Sequence, residues 1–315
     1  MAEKTNHDLI IIGAGPAGMT AGVYAARKQI DTIIITQDIG GQALWSSGIE
    51  NYLGYIFITG PELVRKFEEH LRKFDLKLEF AGVSRLRQTS GGFRVAIEDG
   101  REFAGRAAII ASGKSPRFLD VPGEKEFTGR GVTYCSTCDG PLYAGMDVAV
   151  VGGGNSGLDA VVQMMKICPK VYLIELGNQL RADEVMQRQA REAANVEIVM
   201  ETRVRQIKGD AFVTSVAVEN ARTGETREME VKGVFIEIGL APNTGFAADV
   251  VRLNEQGEIP VDCGARTGVP GLFAAGDATD VPEKQIICAA GDGAKAALGA
   301  YSYLVRLPGP VDWVR

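Results

Sequence analysis

Cys135-Ser136-Thr137-Cys138 is the stretch whose residue types and spacing point most directly to redox chemistry. Two cysteines with two residues between them can close into a disulfide, bind a metal, or lie idle, and their surroundings decide which. A zinc site needs four ligands; there is no second pair, and the chain has only two histidines, His7 and His70. A redox disulfide is therefore favoured and a metal is not expected. The remaining three of the five cysteines, Cys168, Cys263 and Cys288, stand singly and read as buried small apolar side chains. Such an odd count is not a secreted disulfide framework.

A glycine pattern lies on each side of the pair. Gly13-Ala-Gly15-Pro16-Ala17-Gly18 follows the apolar run Leu9–Ile12, and Gly152-Gly-Gly154-Asn155-Ser156-Gly157 follows Val148–Val151. Each reads as strand, tight turn and helix, the context in which such glycines place a pyrophosphate at a helix N-terminus. A second apolar strand comes after each helix, Thr32–Thr36 and Val171–Ile174, and then a β-meander, over 77–110 and about 204–231. The two copies close on Gly113 and Gly239. An internal duplication of a nucleotide-binding unit argues for two dinucleotides on one chain, and a dithiol between them for an electron relay.

The residue ending the second strand differs between the copies. Thr36 lies 23 residues after Gly13 (36 − 13), where an acidic residue is the usual ribose ligand, while Glu175 lies 23 residues after Gly152 (175 − 152). A carboxylate at 175 accepts from both ribose hydroxyls and repels a 2′-phosphate, so NADH is expected over NADPH. Gly271-Leu-Phe-Ala-Ala-Gly276-Asp277 is another apolar strand, with Asp277 at its end placed to hold a ribityl or pyrophosphate group, and 285–303 reads as a helix.

At 315 residues, 45% hydrophobic and 23% charged, the chain suits a globular protein of two domains. The net charge of −6, without a basic run, makes nucleic acid and anionic membrane poor partners. Neither a signal peptide nor a spanning helix fits the N-terminal run, so a cytoplasmic protein is expected.

GAGPAG at 13–18, Gly40-Gly41-Gln42, Cys135-x-x-Cys138-Asp139-Gly140, GGGNSG at 152–157 and GLFAAGD at 271–277 resemble, in order over nearly the whole chain, the low-molecular-weight flavin thioredoxin reductases. The stretch from Gly131 through Glu175, with Lys284-Gln285-Ile286, is especially similar to the flavoprotein subunit of bacterial alkyl hydroperoxide reductase. That subunit carries an additional N-terminal thioredoxin-like domain, and this chain starts at the flavin site, so a separate dithiol acceptor is expected.

The resemblance implies an α/β fold of two Rossmann-like, three-layer ββα dinucleotide-binding domains with β-meanders, one inserted in the other. An FAD domain would cover 1–117 and 245–315, and an NAD(P) domain carrying the disulfide would cover 118–244. FAD would be held by Gly13, Gly15, Pro16, Ala17, Gly18, Gly41, Gln42, Asn51, Gly113, Gly276, Asp277, Lys284, Gln285 and Ile286. The nicotinamide nucleotide would be held by Gly152, Gly154, Asn155, Ser156, Gly157, Glu175, Arg181 and Gly239. NADPH-dependent relatives place a His-Arg-Arg cluster where this chain has Glu175-Leu176-Gly177; Arg181 alone survives from that phosphate-binding pattern.

By the same resemblance Cys138 faces the flavin, Cys135 attacks the acceptor disulfide and Asp139 is the acid/base. A helix beginning near the second cysteine would lower a thiol pKa and favour thiolate. The implied activity is FAD-dependent reduction of a thioredoxin- or glutaredoxin-like protein disulfide by NADH, in a homodimer. Alternatives are a ferredoxin-dependent reductase, a small-molecule dithiol oxidase and a non-catalytic flavin-binding redox sensor. Trp313 is expected to serve dimer or surface packing in preference to covering a flavin.

Overall fold

The structure is a computed structural model that describes residues 5–46 and 48–307, so Trp313 lies outside the described residues. The chain begins with β1 (Asn6–Ala14), α1 (Pro16–Arg27), β2 (Thr32–Ile39), α2 (Gly60–Leu71), β3 (Lys77–Phe80), β4 (Val83–Thr89), β5 (Gly92–Ile97), β6 (Glu102–Ile110) and β7 (Lys114–Pro116). Its middle holds β8 (Val132–Thr133), α3 (Ser136–Asp139), β9 (Val148–Val151), α4 (Asn155–Met164), β10 (Val171–Ile174), α5 (Glu184–Glu192) and β11 (Val196–Val199). There follow β12 (Thr202–Gly209), β13 (Val213–Asn220), β14 (Thr226–Glu230), β15 (Gly233–Ile236), β16 (Leu240–Pro242), β17 (Leu272–Ala274) and α6 (Ile286–Leu304). Two compact units result. The first takes the chain up to Leu44, Pro61–Ser115 and everything described from Ala241; the second takes Trp45–Gly60 and Pro116–Leu240.

In the first unit the sheet order is β3-β2-β1-β6-β5-β4, with β17 also on β6. β1 is parallel to both β2 and β6, and its residues are buried on both faces, as a central parallel strand requires. Alternation along β1 separates two cores. Leu9 and Ile11 pack with α1 and α6, while Ile10 and Ile12 pack with Phe93, Val95 and Phe103 of the antiparallel strands. Helices, parallel sheet and meander are therefore three layers, each central side chain contributing about 1.5–3 kcal/mol on burial.

The second unit repeats the plan on a five-stranded sheet ordered β11-β10-β9-β15-β8, with β12–β14 as a separate antiparallel sheet. Val148 and Val150 face α4, while Ala149 and Val151 face Val204, Val216 and Met229 of the antiparallel sheet. The fold is thus α/β with two Rossmann-like units.

Two local expectations change. β3 pairs in parallel with β2, Ile33 against Lys77, so the first meander starts at Val83 and not at 77. The α2 crossover returns the chain parallel to β2, which a hairpin cannot do. In the second unit α5 and β11 are additions to the elements expected from the residues; α5 is the polar stretch EVMQRQARE, with only Ala190 buried.

Candidate active site

The two glycine turns have the same internal construction. A Cβ on Gly13 would lie 2.3 Å from the Ala111 carbonyl oxygen, and one on Gly18 would lie 1.9 Å from the Gly13 carbonyl oxygen. In the second turn a Cβ on Gly152 would lie 2.4 Å from the Glu237 carbonyl oxygen, and one on Gly157 would lie 1.8 Å from that of Gly152. The first and last glycines are thus needed for packing alone. At the middle glycines, Gly15 and Gly154, an added methyl would have nothing within 4 Å, so bare backbone faces open space.

Each middle glycine is also a helix N-cap, of α1 and of α4, with no side-chain cap and no acidic residue in the first turn. Uncapped backbone N–H groups beside an open glycine suit a pyrophosphate. Pro16 and Ala17, and Asn155 and Ser156, form the first turns of these helices. Both cradles lie at the carboxyl ends of central parallel strands, where open α/β sheets bind ligands.

Around the first cradle the carboxyl edge gathers further groups. Gly41, with φ of 53°, approaches Gly15, and Gly113, with φ of 66°, opens on space. The Gln42 side-chain amide donates to the Lys114 carbonyl at 2.8 Å. Gly276 and Asp277 follow β17 after one residue, Ala275, while Gln285 caps α6 and Ile286 begins it. A Cβ on Gly293 would meet the Ala17 carbonyl oxygen at 2.1 Å, so α6 lies hard against the cradle.

Beside them is an ion-pair cluster: Lys114 Nζ is 2.5 Å and Lys284 Nζ 3.3 Å from Glu258 Oε1. Burial lowers the Lys284 pKa, with the Lys114 charge adding to this, and burial raises that of Asp277. Asn51 is the exception: it is exposed and belongs to the Trp45–Gly60 segment of the second unit. Lys114 and Glu258 carry no signal in the sequence because neither sits in a motif.

In the second unit four groups line one carboxyl edge, in the strand order β10, β9, β15, β8. Glu175 follows β10, Gly152 follows β9, Glu237 follows β15, and Cys135 comes two residues after β8. Adjacent strands are about 4.8 Å apart, so the disulfide and the glycine turn are roughly two strand spacings from each other.

Cys135 and Cys138 are joined as a disulfide, with Cα atoms 5.3 Å apart. Cys135 is the N-cap of α3, and its Sγ accepts the Cys138 N–H at 3.2 Å. The helix therefore starts just after the first cysteine and not near the second. The reason is local: Cys135 is extended, with φ of −144°, and Asp139 N closes the turn on the Cys135 carbonyl at 3.1 Å. The N–H donor of the turn is thus directed at the Cys135 sulfur.

Asp139 is 3% exposed and accepts from the Thr133 hydroxyl. Ser136 N donates to Glu237 Oε1 at 3.2 Å. Burial pushes the Glu237 carboxyl up to about 7, against the lowering effect of its Ser136 hydrogen bonds. Glu237 falls outside every motif, although one acidic residue within the apolar run Val-Phe-Ile-Glu-Ile is a visible signal.

Glu175 is 5% exposed, and both oxygens accept backbone N–H groups: Oε2 from Gly153 and Oε1 from Gly177, each at 2.6 Å. Arg181 is exposed, but its backbone N–H donates to the Gly153 carbonyl at 2.8 Å, which fixes it beside the turn. Gly239, with φ of 102°, is exposed after β15.

A family model described as pyridine nucleotide-disulphide oxidoreductase matches residues 7–293, spanning both glycine turns and the disulfide. The chain belongs to that family. Among curated relatives of this oxidoreductase, an NADH dehydrogenase of Bacillus subtilis (strain 168) is 41% identical over 97% of this chain and 60% of its own. A subunit of the alkyl hydroperoxide reductase of Pseudomonas putida is 41% identical over 98% of this chain and 61% of its own. The chain therefore spans about 60% of the length of these relatives. Among solved structures, thioredoxin reductase from Streptococcus pyogenes superposes with a TM-score of 0.91 at 38% identity, covering 97% of this chain and 100% of that one. Thioredoxin reductase from Giardia duodenalis superposes with a TM-score of 0.88 at 32% identity, covering 96% and 100%.

Outside the redox pair the three other cysteines divide. Cys168 is buried, with its thiol raised to about 11 by burial, Cys288 is half-buried, and Cys263 is exposed. Cys263 departs from the buried expectation because it rides on a surface turn in which Asp262 Oδ1 accepts from Gly264 and Arg266 N–H. Among the described residues no helix is long and apolar enough to cross a membrane, and no group of three or more His, Cys, Asp and Glu could hold a metal.

Proposed function

We propose that the protein is an FAD-dependent disulfide reductase that takes electrons from NADH and delivers them through Cys135–Cys138 to a thioredoxin- or glutaredoxin-like protein. The observation that carries this reading is the single carboxyl edge that holds both a dinucleotide cradle and a closed C-x-x-C disulfide. FAD and the nicotinamide supply two-electron chemistry when bound. The open backbone at Gly15 and Gly154 fits their pyrophosphates, and Asp277, Lys284 and Gln42 are the polar groups on hand for the flavin nucleotide.

The chain's own residues then handle sulfur and protons. Once the disulfide is reduced, the Cys135 thiolate receives the Cys138 N–H and attacks a sulfur of the acceptor disulfide, releasing one acceptor thiolate. Cys138 displaces the second acceptor sulfur from Cys135 and the Cys135–Cys138 bond closes again. Asp139 gives its proton to the leaving sulfur, and the Thr133 hydroxyl holds the Asp139 carboxylate oriented between turnovers.

The preference for NADH rests on Glu175. A 2′-phosphate on the ribose would meet a carboxylate there, with Arg181 as the only nearby cation of the expected set. The names of relatives, an NADH dehydrogenase among them, support this direction. The unpaired Cys168, Cys263 and Cys288 suit a reducing cytoplasm. A homodimer belongs to the same reading and is checked by sedimentation. To test acceptor chemistry, Cys138→Ser is mixed with an oxidised thioredoxin-like protein. A mixed disulfide through Cys135 is expected; trapping only through Cys138, in the reciprocal Cys135→Ser variant, would reverse the roles.

A further inference from the structure

Glu237 stands between the two working parts of the second unit. Its backbone carbonyl is the atom that a Cβ on Gly152 would strike, at 2.4 Å, so its main chain abuts the glycine turn. Its side chain points the other way along the sheet edge, to the redox turn, where Oε1 accepts the N–H of Ser136 at 3.2 Å. The Ser136 side chain adds a second hydrogen bond. Ser136 is the residue between Cys135 and Thr137, so a carboxyl group is held against the backbone of the disulfide loop itself.

A hydrogen bond to one N–H does not require a charge, since a glutamine or serine oxygen serves equally well. A carboxyl with a titration point near neutrality adds something else. Reduction of the disulfide breaks the S–S bond, adds two electrons and leaves negative charge on sulfur, and a neighbouring carboxylate opposes that charge. Burial already raises the Glu237 pKa to about 7, and the negative charge of Asp159 on α4 acts in the same direction. On the other elements around it, β9 offers only Val148–Val151, and β8 offers Val132 and Thr133. On α3, Asp139 is engaged with Thr133. The redox-active group that Glu237 touches is the disulfide turn, through Ser136.

We propose that Glu237 is a positioning residue that couples proton uptake to reduction of the Cys135–Cys138 pair. In the oxidised protein it is largely ionised above pH 7. When an electron pair arrives and Cys135 becomes a thiolate, the carboxyl binds a proton from water and stays on the disulfide turn as a neutral group, still holding the Ser136 N–H. Two electrons and one proton enter for the thiolate–thiol pair, and one further proton enters at Glu237. The sign follows. Below about pH 7 Glu237 is protonated in both states and has no effect; above it, the extra proton must be taken up and reduction becomes harder as pH rises.

This inference rests on the reading of Cys135–Cys138 as a working redox pair. It is tested on the purified full chain equilibrated with mixtures of dihydrolipoate and lipoate between pH 6 and 8.5. The reduced fraction is counted by alkylation and mass, as two labels above the Cys168, Cys263 and Cys288 background. From pH 6 to 8 the wild-type pair is expected to become about fivefold harder to reduce relative to Glu237→Gln, approaching about tenfold at higher pH, for one pK unit of like-charge coupling. Glu237→Ala, which also loses the Ser136 acceptor, should follow the glutamine variant in its pH dependence.

Parallel curves for wild type and both variants, whether superposed or offset by a constant factor, would overturn the proposal and leave Glu237 a structural bracket. The small-molecule dithiol supplies electrons directly to the disulfide. Failure of the flavin relay therefore shows up in other assays, and failure of the Glu237 coupling shows up only here.

Discussion

The glycine turn after β1 and the glycine turn after β9 are built alike and are braced at the same place by different chemistry. In the first, the Thr36 hydroxyl accepts the Ala14 N–H at 3.1 Å; in the second, Glu175 accepts the Gly153 N–H at 2.6 Å. Ala14 and Gly153 are the equivalent middle residues of the two turns, and Thr36 and Glu175 are both 23 residues past the first glycine (36 − 13; 175 − 152). A neutral hydroxyl is therefore sufficient to brace the middle residue of a turn of this shape. Glu175 does more, since its second oxygen also accepts the Gly177 N–H, and the proposed discrimination between nucleotides would use the charge that the first turn does without.

The comparison breaks most severely if the redox turn is cut. Cys135→Ser and Cys138→Ser are each expected to abolish reduction of a protein disulfide, to below about a thousandth of wild type, because no other thiol completes the exchange. Flavin bleaching by NADH should survive in both, and steady-state and anaerobic spectra separate the two effects.

Next come the glycines. Gly157→Ala and Gly18→Ala each force a methyl to within 2 Å of a carbonyl oxygen and should cost about 3 kcal/mol in denaturant melts. Gly154→Ala places its methyl in open space. It should leave stability within about 0.5 kcal/mol and weaken nicotinamide binding at least about tenfold, measured by titration. Equal stability losses at Gly154 and Gly157 would remove the distinction between packing glycines and ligand-facing ones.

A smaller effect is expected from exchanging the braces. Glu175→Thr copies the first turn into the second, and should lower the NADH/NADPH ratio of kcat/KM about tenfold, equivalent to about 1.4 kcal/mol, while the turn stays folded. An unchanged ratio would return Glu175 to a purely structural role. Thr36→Val removes two hydrogen bonds, from the Ala14 N–H and to the Asp38 carbonyl, and should cost about 1–3 kcal/mol, read from urea unfolding, with the nucleotide preference untouched.

Much of this layout is legible in the residues because periodicity and glycine chemistry are local. The β1 and β9 runs, the turns that follow them and the duplication all declare themselves within a few tens of residues. β3 reads from its residues as a meander strand because its pairing with β2 depends on the α2 crossover, a long-range matter. α5 is easily passed over because its apolar face is only Met186 and Ala190, four residues apart, in an otherwise polar stretch. The start of α3 lies at Ser136, two residues before Cys138, which makes Cys135 the N-cap. Glu237 shows in the sequence only as an acidic residue in an apolar run, and Lys114 not at all, because their roles arise only when separate strands end at one sheet edge or one cluster.

The central claim is that electrons pass from NADH to the Cys135–Cys138 disulfide through a flavin. Anaerobic titration of the FAD-loaded protein, first with NADH and then with NADPH, while flavin absorbance and newly alkylated cysteines are followed together, tests it directly. Bleaching of the flavin by NADH at concentrations well below those needed with NADPH, accompanied by two new labels at Cys135 and Cys138, is the predicted result. No bleaching by either nucleotide, or bleaching without thiols appearing at those two positions, would contradict it.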